Sequence, residues 1–469
     1  MFNRVLTLRT SSVANLSNQI VRIEAHLLGS SCKDWKHVQQ RSVHGLAAPG
    51  PGGGGGGEKC NLSRFEKLQY SSSILHPIRR LSCTQFAYAN MNFIKNVHIE
   101  EVDSKNMLAW QIHNYGKDNF HLVEKPVPII TKQDELLIKV YASSINPIDL
   151  RMQEGYGSVL FNKSRRCAPG DEFPLILGRD CSGVVVDVGK NVKGLKKGDK
   201  VWAAVNQIQP GSHAQYVVVN HNEVSHMPES ISFVEAASLP YVIATVWSAL
   251  YAVARFRPNK DAIAKSVLIH GGSGGIGSFA IQLVKAWNGR ATTTCGTDAV
   301  EMVKKLGASR VYDYRLSNYE ESIMKTGGFD LILDTIGGET EKLSMKLLKK
   351  GSQMVSLVSP FLTEMDRRGA VLGALSASTI MFKKAMAASK QGGKFRWAFA
   401  NPNAQGLETV AKLVNEGQIK PVIDRVYTFQ EVPEAFEQLR KGHARGKIVI
   451  DMGEEKIIPT SSDDFYKDS

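Results

Sequence analysis

The stretch VLIHGGSGGIGSFAIQLVKAW, residues 267–287, spaces Gly272, Gly274 and Gly277 as G-x-G-x-x-G, with Gly275 between them. A short apolar run precedes the glycines and an apolar run of helical period follows, and that context gives the pattern its specificity. A strand that turns through bare backbone into a helix presents unpaired amide N–H groups at the positive end of the helix dipole, where an anion is favoured. A Cβ at the central glycines, Gly274 and Gly275, would hold a pyrophosphate off those amides, and Gly277 lets helix and strand pack closely. The chemistry indicated is dinucleotide binding; the alternative is a tight strand–helix turn with no ligand.

The ribose end of such a site separates NAD from NADP. An NAD site carries an acid about 20 residues beyond the glycines, bonded to the ribose 2′-OH. Here the next strand ends at Cys295-Gly296-Thr297, a small neutral tip, and Asp298 follows it. The tip leaves room for a 2′-phosphate. Tyr314 and Arg315, closing the strand after that, supply hydroxyl and guanidinium donors. NADPH is expected, and Asp298 is the residue that argues for NADH.

These residues need a scaffold, and the patterning describes one in two parts. ELLIKVYASSINPIDL (135–150) alternates and then turns at Asn146-Pro147. PLILGRDCSGVVVDVGKNVKGLKKGDKVWA (174–203) and HAQYVVV (213–219) are short β-branched runs broken by glycines. Closely spaced strands of this kind form a mostly-β unit of partly open barrel type. From about Ser232 the period changes. VEAASLPYVIATVWSALY (234–251) has helical spacing, and strands then alternate with helices: strands at 267–270, 291–295, 311–314, 331–334 and 354–358, helices at 277–286 and 299–306. Such alternation implies a doubly wound parallel sheet. AFEQLRKGHARGKIVIDM (435–452) reads as one helix and a last strand that rejoins the β unit. The apolar tract 370–382 is too short to span a bilayer and carries serines and a threonine, so it reads as a buried helix or a subunit contact.

The chain has 469 residues and a formal charge of +13. Residues 1–99 hold twelve Lys/Arg against four Asp/Glu, which leaves +5 for the remainder. The basicity thus belongs to the N-terminal segment, and no nucleic-acid motif accompanies it. Arg4, Arg9 and Arg22 stand among Leu, Val, Ser and Thr, and the first acid is Glu24, the pattern of a mitochondrial presequence. The stretch PGPGGGGGGEK (49–59) reads as a flexible linker or a low-complexity insert. Six cysteines without a C-x-x-C pair give no disulfide framework.

NPIDLR (146–151), GRDCSGVVVDVG (178–189), KKGDKVW (196–202), ASLPYVIATVWSAL (237–250), VLIHGGSGGIG (267–277) and KLGASRVYDYR (305–315) occur in one order. Together they resemble the medium-chain dehydrogenase/reductase superfamily, in its quinone-oxidoreductase branch, over roughly residues 100–452. The resemblance implies an α/β protein. A GroES-like, partly open β-barrel domain would occupy 100–235 and a Rossmann domain 236–415. The chain would return to the barrel at 416–455, with a disordered leader at 1–99 and a flexible tail at 456–469. It implies NADPH in the cleft, a quinone substrate, mitochondrial residence (matrix rather than outer membrane) and a link to ubiquinone biosynthesis. The partners it implies are proteins of that biosynthesis or a membrane surface, and a second copy of the chain as a homodimer. By matching position it places cofactor contacts on Ser273, Gly275, Ile276, Gly296, Thr297, Tyr314, Thr335, Leu357, Phe399, His443, Ala444 and Arg445. Core packing is the alternative for Leu357 and Phe399, and a solvated turn for His443 and Arg445.

Zinc members of the superfamily place Gly-His-Glu where this chain reads Gly178-Arg179-Asp180, and they carry a four-cysteine lobe missing here. No metal is expected. The chemistry left is hydride transfer to a quinone or an α,β-unsaturated carbonyl, which the cofactor carries. Three side chains are candidates to assist. Asn146 stands at the mouth of the β unit. Thr245 lies where the resembling family lays a helix against the nicotinamide. Tyr156, in QEGYG on a flexible loop, has a hydroxyl that can donate a proton. Arg151 stands where related quinone reductases carry an aromatic. The alternatives to a quinone reductase are an enoyl-thioester reductase and a non-catalytic NADPH-binding protein.

Overall fold

The computed structural model describes residues 106–117, 119–258 and 262–453. The expected leader, its linker and the tail after 455 lie outside the described residues. The described strands are β1 (Asn106–Ile112), β2 (Phe120–Pro126), β3 (Glu135–Ile145), β4 (Leu175–Ile176), β5 (Asp180–Val188), β6 (Lys200–Ala204), β7 (Tyr216–Asn220) and β8 (Val224–His226), followed by β9 (Ser266–Ile269), β10 (Arg290–Cys295), β11 (Arg310–Asp313), β12 (Phe329–Asp334), β13 (Leu348–Ser356), β14 (Lys394–Trp397), β15 (Ile423–Thr428) and β16 (Lys447–Asp451).

The first eight strands build the β unit. β3, β5, β6 and β8 pair antiparallel in that order, β7 joins β3, and β2-β1-β4 form a small second sheet. Alternation drives this: Leu136, Ile138 and Val140 of β3 point inward with Cys181 and Val185 of β5 and Val217 and Val219 of β7. Cys181 is a small apolar residue of that core. The chain's end rejoins the unit through two strands where one was expected. β16 pairs antiparallel with β3, Ile448 opposite Ile145, and β15 pairs parallel with β16.

The second half forms a six-stranded sheet of order β11-β10-β9-β12-β13-β14, every neighbouring pair parallel. Counted from β9, this is 3-2-1-4-5-6, the doubly wound arrangement whose crevice opens between the first and fourth strands. β9 is apolar on both faces because it lies in the middle. The Gly275–Ala286 helix buries Phe279, Ile281, Leu283 and Val284 on it. β14 carried no clear period in the sequence; it is a short edge strand with alternate residues exposed.

Two further expectations change. The apolar run 234–251 is not one helix. Pro240 opens a second helix (Pro240–Val246) after Phe233–Ala237, and Trp247–Val253 continue as a π-helical turn. The span Phe233–Val253 is long and apolar enough to cross a membrane, but 78% of it is buried in protein. The tract 370–382 belongs to a 21-residue helix, Ala370–Lys390, and is not buried: Val371, Leu375 and Phe382 are 74%, 61% and 66% exposed. Its inward side is made of Gly373, Ala377 and Ala388, small enough to seat the backbone on the domain, which turns the larger apolar residues outward.

Two buried histidines link this packing to pH. Burial lowers His213 to about 3 and His270 to about 4. The unfolded chain takes up protons on both below about pH 6.5. Folded stability is therefore complete above that pH and is lost as pH falls toward the folded values. Burial raises Asp149 to about 6, which acts with opposite sign between its unfolded value and 6. Two imidazoles outweigh one carboxyl. Thermal unfolding should shift to lower temperature from pH 7 to pH 4.5, and the shift should be shallower in His213→Asn; an identical slope in that variant would exclude His213 as a contributor.

Candidate cofactor and acceptor site

The glycine turn sits at the carboxyl end of β9. Gly274 is the N-cap of the Gly275–Ala286 helix, and no side chain caps that end, so its first N–H groups face outward unpaired by side chains. The glycines divide by role. A Cβ at Gly272 would collide with Thr293, and one at Gly277 with the Gly271 carbonyl; both are required by packing. A Cβ at Gly274 would meet only the Gly271 carbonyl, at 3.6 Å, an ordinary contact. Packing leaves the bareness of Gly274 unexplained, and a group approaching from outside accounts for it. At Gly275 a Cβ would press on Cδ of Lys447 at 2.7 Å. The end of the chain holds the loop from the other side: Gly446 N–H donates to the Ser273 carbonyl at 2.8 Å, and Gly274 and Gly446 form a parallel bridge. Ile276 packs against the core. These features fit a dinucleotide pyrophosphate.

The ribose end is more specific than the sequence suggested. Gly296 and Thr297 begin the turn after β10, and Asp298 stands beside them, half exposed. Asp298 is not free. Arg315 Nη1 lies 3.1 Å from its Oδ1, and Arg445 Nη2 pairs with its Oδ2. Two guanidinium groups thus surround one carboxylate, and Asp313 accepts from the Arg315 N–H at 2.9 Å. Tyr314 is 47% exposed, with Arg315 over its ring at 5.9 Å. Arg445 is held in place by its N–H bond to Asp424 Oδ1, 3.1 Å. His443 takes a left-handed conformation, φ +63°, and Ala444 packs into the apolar cluster behind it.

Thr335, Leu357 and Phe399 each follow the carboxyl end of a neighbouring parallel strand, β12, β13 and β14. Thr335 donates to the His270 carbonyl at 2.8 Å, and Leu357 N–H to the Asp334 carbonyl at 2.9 Å. Phe399 is 45% exposed and meets Phe361 edge-on at 6.1 Å. Thr335, Leu357 and Phe399 thus lie with the glycine turn at the carboxyl end of the parallel sheet, the side on which doubly wound folds bind ligands.

The three proposed catalytic side chains do not gather at one point. Thr245 donates back to the Tyr241 carbonyl of its own helix at 2.7 Å. Asn146 is 2% exposed and committed within the protein: Nδ2 donates to Asp180 Oδ2 at 2.7 Å, and Oδ1 accepts from Lys447 Nζ at 2.7 Å. Lys447 Nζ also donates to Ser144 Oγ, 2.7 Å, and lies 3.1 Å from Asp180. This buried ion pair was missed in the sequence; its trace there is a charge at the first position of each of two apolar strands, Asp180 in β5 and Lys447 in β16.

Tyr156 lines a cavity of about 600 Å³ together with Arg151, Val358, Ser359, Pro360 and Thr363, a volume suited to a small ligand. Its loop is pinned. Asp366, on the far wall, accepts from Gly157 N–H at 2.7 Å and Val159 N–H at 3.1 Å, which corrects the expectation of a flexible loop. Burial raises the Tyr156 pKa, and the Arg151 guanidinium, 5.5 Å from the ring, opposes that rise. The phenol stays protonated at neutral pH and able to donate.

The chain matches the family models described as alcohol dehydrogenase GroES-like domain (residues 132–229) and zinc-binding dehydrogenase (306–450). It is 43% identical to "NAD(P)H oxidoreductase RTN4IP1, mitochondrial" of Mus musculus, covering 80% of this chain and 98% of the relative. The chain belongs to the medium-chain dehydrogenase/reductase superfamily. Another relative in this superfamily, a 2-methylene-furan-3-one reductase of Solanum lycopersicum, is 32% identical over 81% of this chain and 86% of its own length. Among solved structures, the quinone oxidoreductase from Coxiella burnetii is similar with a TM-score of 0.62 and 28% identity, covering 74% of this chain and all of that one. The zinc in one family description does not fit these residues. The Arg179 guanidinium, 1% exposed, is bonded to the carbonyls of Asn206, Gln209 and Ile176. Asp180 is taken by Lys447, Ser144 and Asn146. Among the described residues no three His, Cys, Asp or Glu side chains are grouped to hold a metal.

The glycines give a paired test. Gly274→Val should weaken dinucleotide binding at least about tenfold in calorimetric titration with little change in thermal stability, and Gly277→Ala should cost about 1–3 kcal/mol of stability by overpacking. Equal loss of stability in both would mean that Gly274 serves packing after all. Lys447→Met should cost about 3–5 kcal/mol in urea unfolding, because it leaves Asp180 buried without its cation.

Proposed function

We propose that this protein is a mitochondrial, zinc-independent reductase that uses NADPH to reduce a quinone. Its membership of the superfamily makes it an NAD(P)H-dependent oxidoreductase, as its curated relative is named. The choice of NADPH rests on one observation: Asp298, the acid positioned to select NADH, lies between Arg315 and Arg445. A carboxylate so paired is a poor acceptor for a ribose 2′-OH, and the second cation favours a 2′-phosphate. Mitochondrial residence is supported by the name of the Mus musculus relative together with the basic, acid-poor leader. The link to ubiquinone biosynthesis belongs to the same reading.

Bound at the crevice, NADPH would supply a hydride equivalent to the acceptor. The chain's own part is to bind, orient and protonate. The helix N-terminus at Gly274–Gly277 and the Ser273–Gly446 contact hold the pyrophosphate. Arg315 and Arg445 hold the 2′-phosphate. Tyr156 donates a proton to the acceptor oxygen, whose developing negative charge Arg151 stabilises. The Asp366 bonds keep the Tyr156 loop against the opposite wall. A quinone suits this arrangement because it accepts hydride without a Lewis acid, and the quinone oxidoreductase from Coxiella burnetii has the same fold. A second reading, reduction of a carbon–carbon double bond conjugated to a carbonyl, is favoured by the likeness to the 2-methylene-furan-3-one reductase. Both acceptors need the same proton donor.

Arg315→Ala and Arg445→Ala should each weaken NADPH binding about 10–100-fold, the value of one charge-assisted contact, and leave NADH binding nearly unchanged. Equal losses for both cofactors would refute the 2′-phosphate role. Tyr156→Phe should lower kcat at least about tenfold at unchanged NADPH affinity. A panel of quinones and enones, followed by NADPH oxidation, decides between the two acceptors.

A further inference from the structure

The Ala370–Lys390 helix has its polarity reversed. A surface helix ordinarily turns apolar residues inward and charges outward. Here Gly373, Ala377 and Ala388 face in, while Val371, Leu372, Leu375, Phe382 and Met386 are 74%, 64%, 61%, 66% and 48% exposed. Their spacing puts them on one side of the helix, so they form a continuous stripe rather than scattered apolar positions. Nothing in the domain's own packing needs that stripe.

The chain segment that carries it is basic. From Arg367 to Leu407 the chain contains no Asp or Glu. Over the same stretch, Lys383, Lys390 and Lys394 are exposed and have no carboxylate partner among the described residues, and Arg367 and Arg368 project half exposed from the preceding helix, Phe361–Arg368. Of the two acids just before this stretch, Asp366 accepts from the Gly157 and Val159 N–H groups, and Glu364 is nearly buried beneath those arginines and also accepts from Ser376; Lys384 of the helix pairs with Glu341. An apolar stripe flanked by the unpaired Lys383 and Lys390 is complementary to an anionic lipid surface, where each basic group is attracted to the headgroups and the apolar side chains enter the acyl boundary.

We propose that the outer face of the Ala370–Lys390 helix docks this protein on an anionic phospholipid bilayer. The docking has a use, which rests on the quinone reading of the cavity. Thr363 and Arg367 of the preceding helix and Lys384 of this one line the same cavity as Tyr156. Docking therefore brings the cavity to the headgroup layer. An acceptor with a long apolar tail partitions into the bilayer, and its head enters the cavity without crossing water.

The test uses the purified protein with neither cofactor nor acceptor, so that it does not depend on the reaction. The protein is sedimented with phosphatidylcholine vesicles containing phosphatidylglycerol as one lipid in five, and with vesicles of phosphatidylcholine alone. Wild type should pellet with the mixed vesicles at least about tenfold more than with the neutral ones, and raised salt should release it. The double variant Leu375→Ser/Phe382→Ser should lose pelleting while NADPH binding and thermal unfolding stay as in wild type. Reduction of a water-soluble short-tailed quinone should be unchanged in the variant, and reduction of a long-tailed quinone held in the vesicles should fall. Failure of wild type to pellet, or undiminished pelleting of the double variant, overturns the proposal. Sedimentation velocity showing a dimer that the double variant splits, without vesicle binding, would assign the stripe to a second copy of the chain and overturn it as well. Intact vesicle binding with no quinone reduction would leave docking standing and remove the quinone reading instead.

Discussion

A buried lysine ties the two halves of this protein together. Lys447 begins the last strand, 6% exposed, and its ammonium is surrounded by Ser144, Ile145, Asn146 and Asp180 of the β unit. A charge out of water is tolerated only where an opposite charge and hydrogen bonds replace its solvation. That requirement fixes where β16 lies against β3 and where β5 begins. It also fixes the residue before it. Gly446 is thereby held against Ser273, so the phosphate loop of the second half rests on the strand that closes the first. The glycine at 275 fits the same constraint, since a side chain there would press on Lys447.

The ribose end depends on the same strand. Arg445 is two residues from Lys447 and one from Gly446, and its position over Asp298 follows from theirs. The proposed preference for NADPH therefore draws on residues far apart in sequence: the tip of β10, the end of β11 and the turn before β16. Repulsion between the two guanidinium groups is relieved by Asp298 in the protein as described. A 2′-phosphate would take over part of that role, which makes Asp298 a counter-ion for the arginines rather than a selector of NADH.

On the acceptor side, one carboxylate carries the closure of the cleft. Asp366 bonds to the backbone at the start of the Ser158–Arg165 helix, satisfying N–H groups that its N-cap, Gly157, cannot. It thereby spans the cavity that Tyr156 lines. The segment carrying Asp366 leads directly into the helix with the exposed apolar stripe, so the wall of the acceptor cavity and the proposed lipid-facing surface are successive parts of one chain segment.

Local patterning was enough for most of the elements and for the strand–glycine–helix turn at 267–286. The G-x-G-x-x-G spacing between an apolar strand and an apolar helix reports backbone geometry within a few residues, and strand alternation in 135–219 reports which face is buried. The helix at 234–251 was read as continuous because helical period does not register where Pro240 restarts it, and β14 was missed because four residues on an edge carry little period. What only the tertiary structure decided were relations between distant residues. Asn146 looked free to meet a ligand, yet its amide is consumed by Asp180 and Lys447. Asp298 looked like a lone acid, yet two arginines from other turns neutralise it. The 370–382 tract was read as a buried helix or a subunit contact, and within this chain it lies outside on a base of small residues. Composition and period record that a residue is apolar or charged; its electrostatic partner and the side it shows to solvent are fixed by whatever the fold brings beside it.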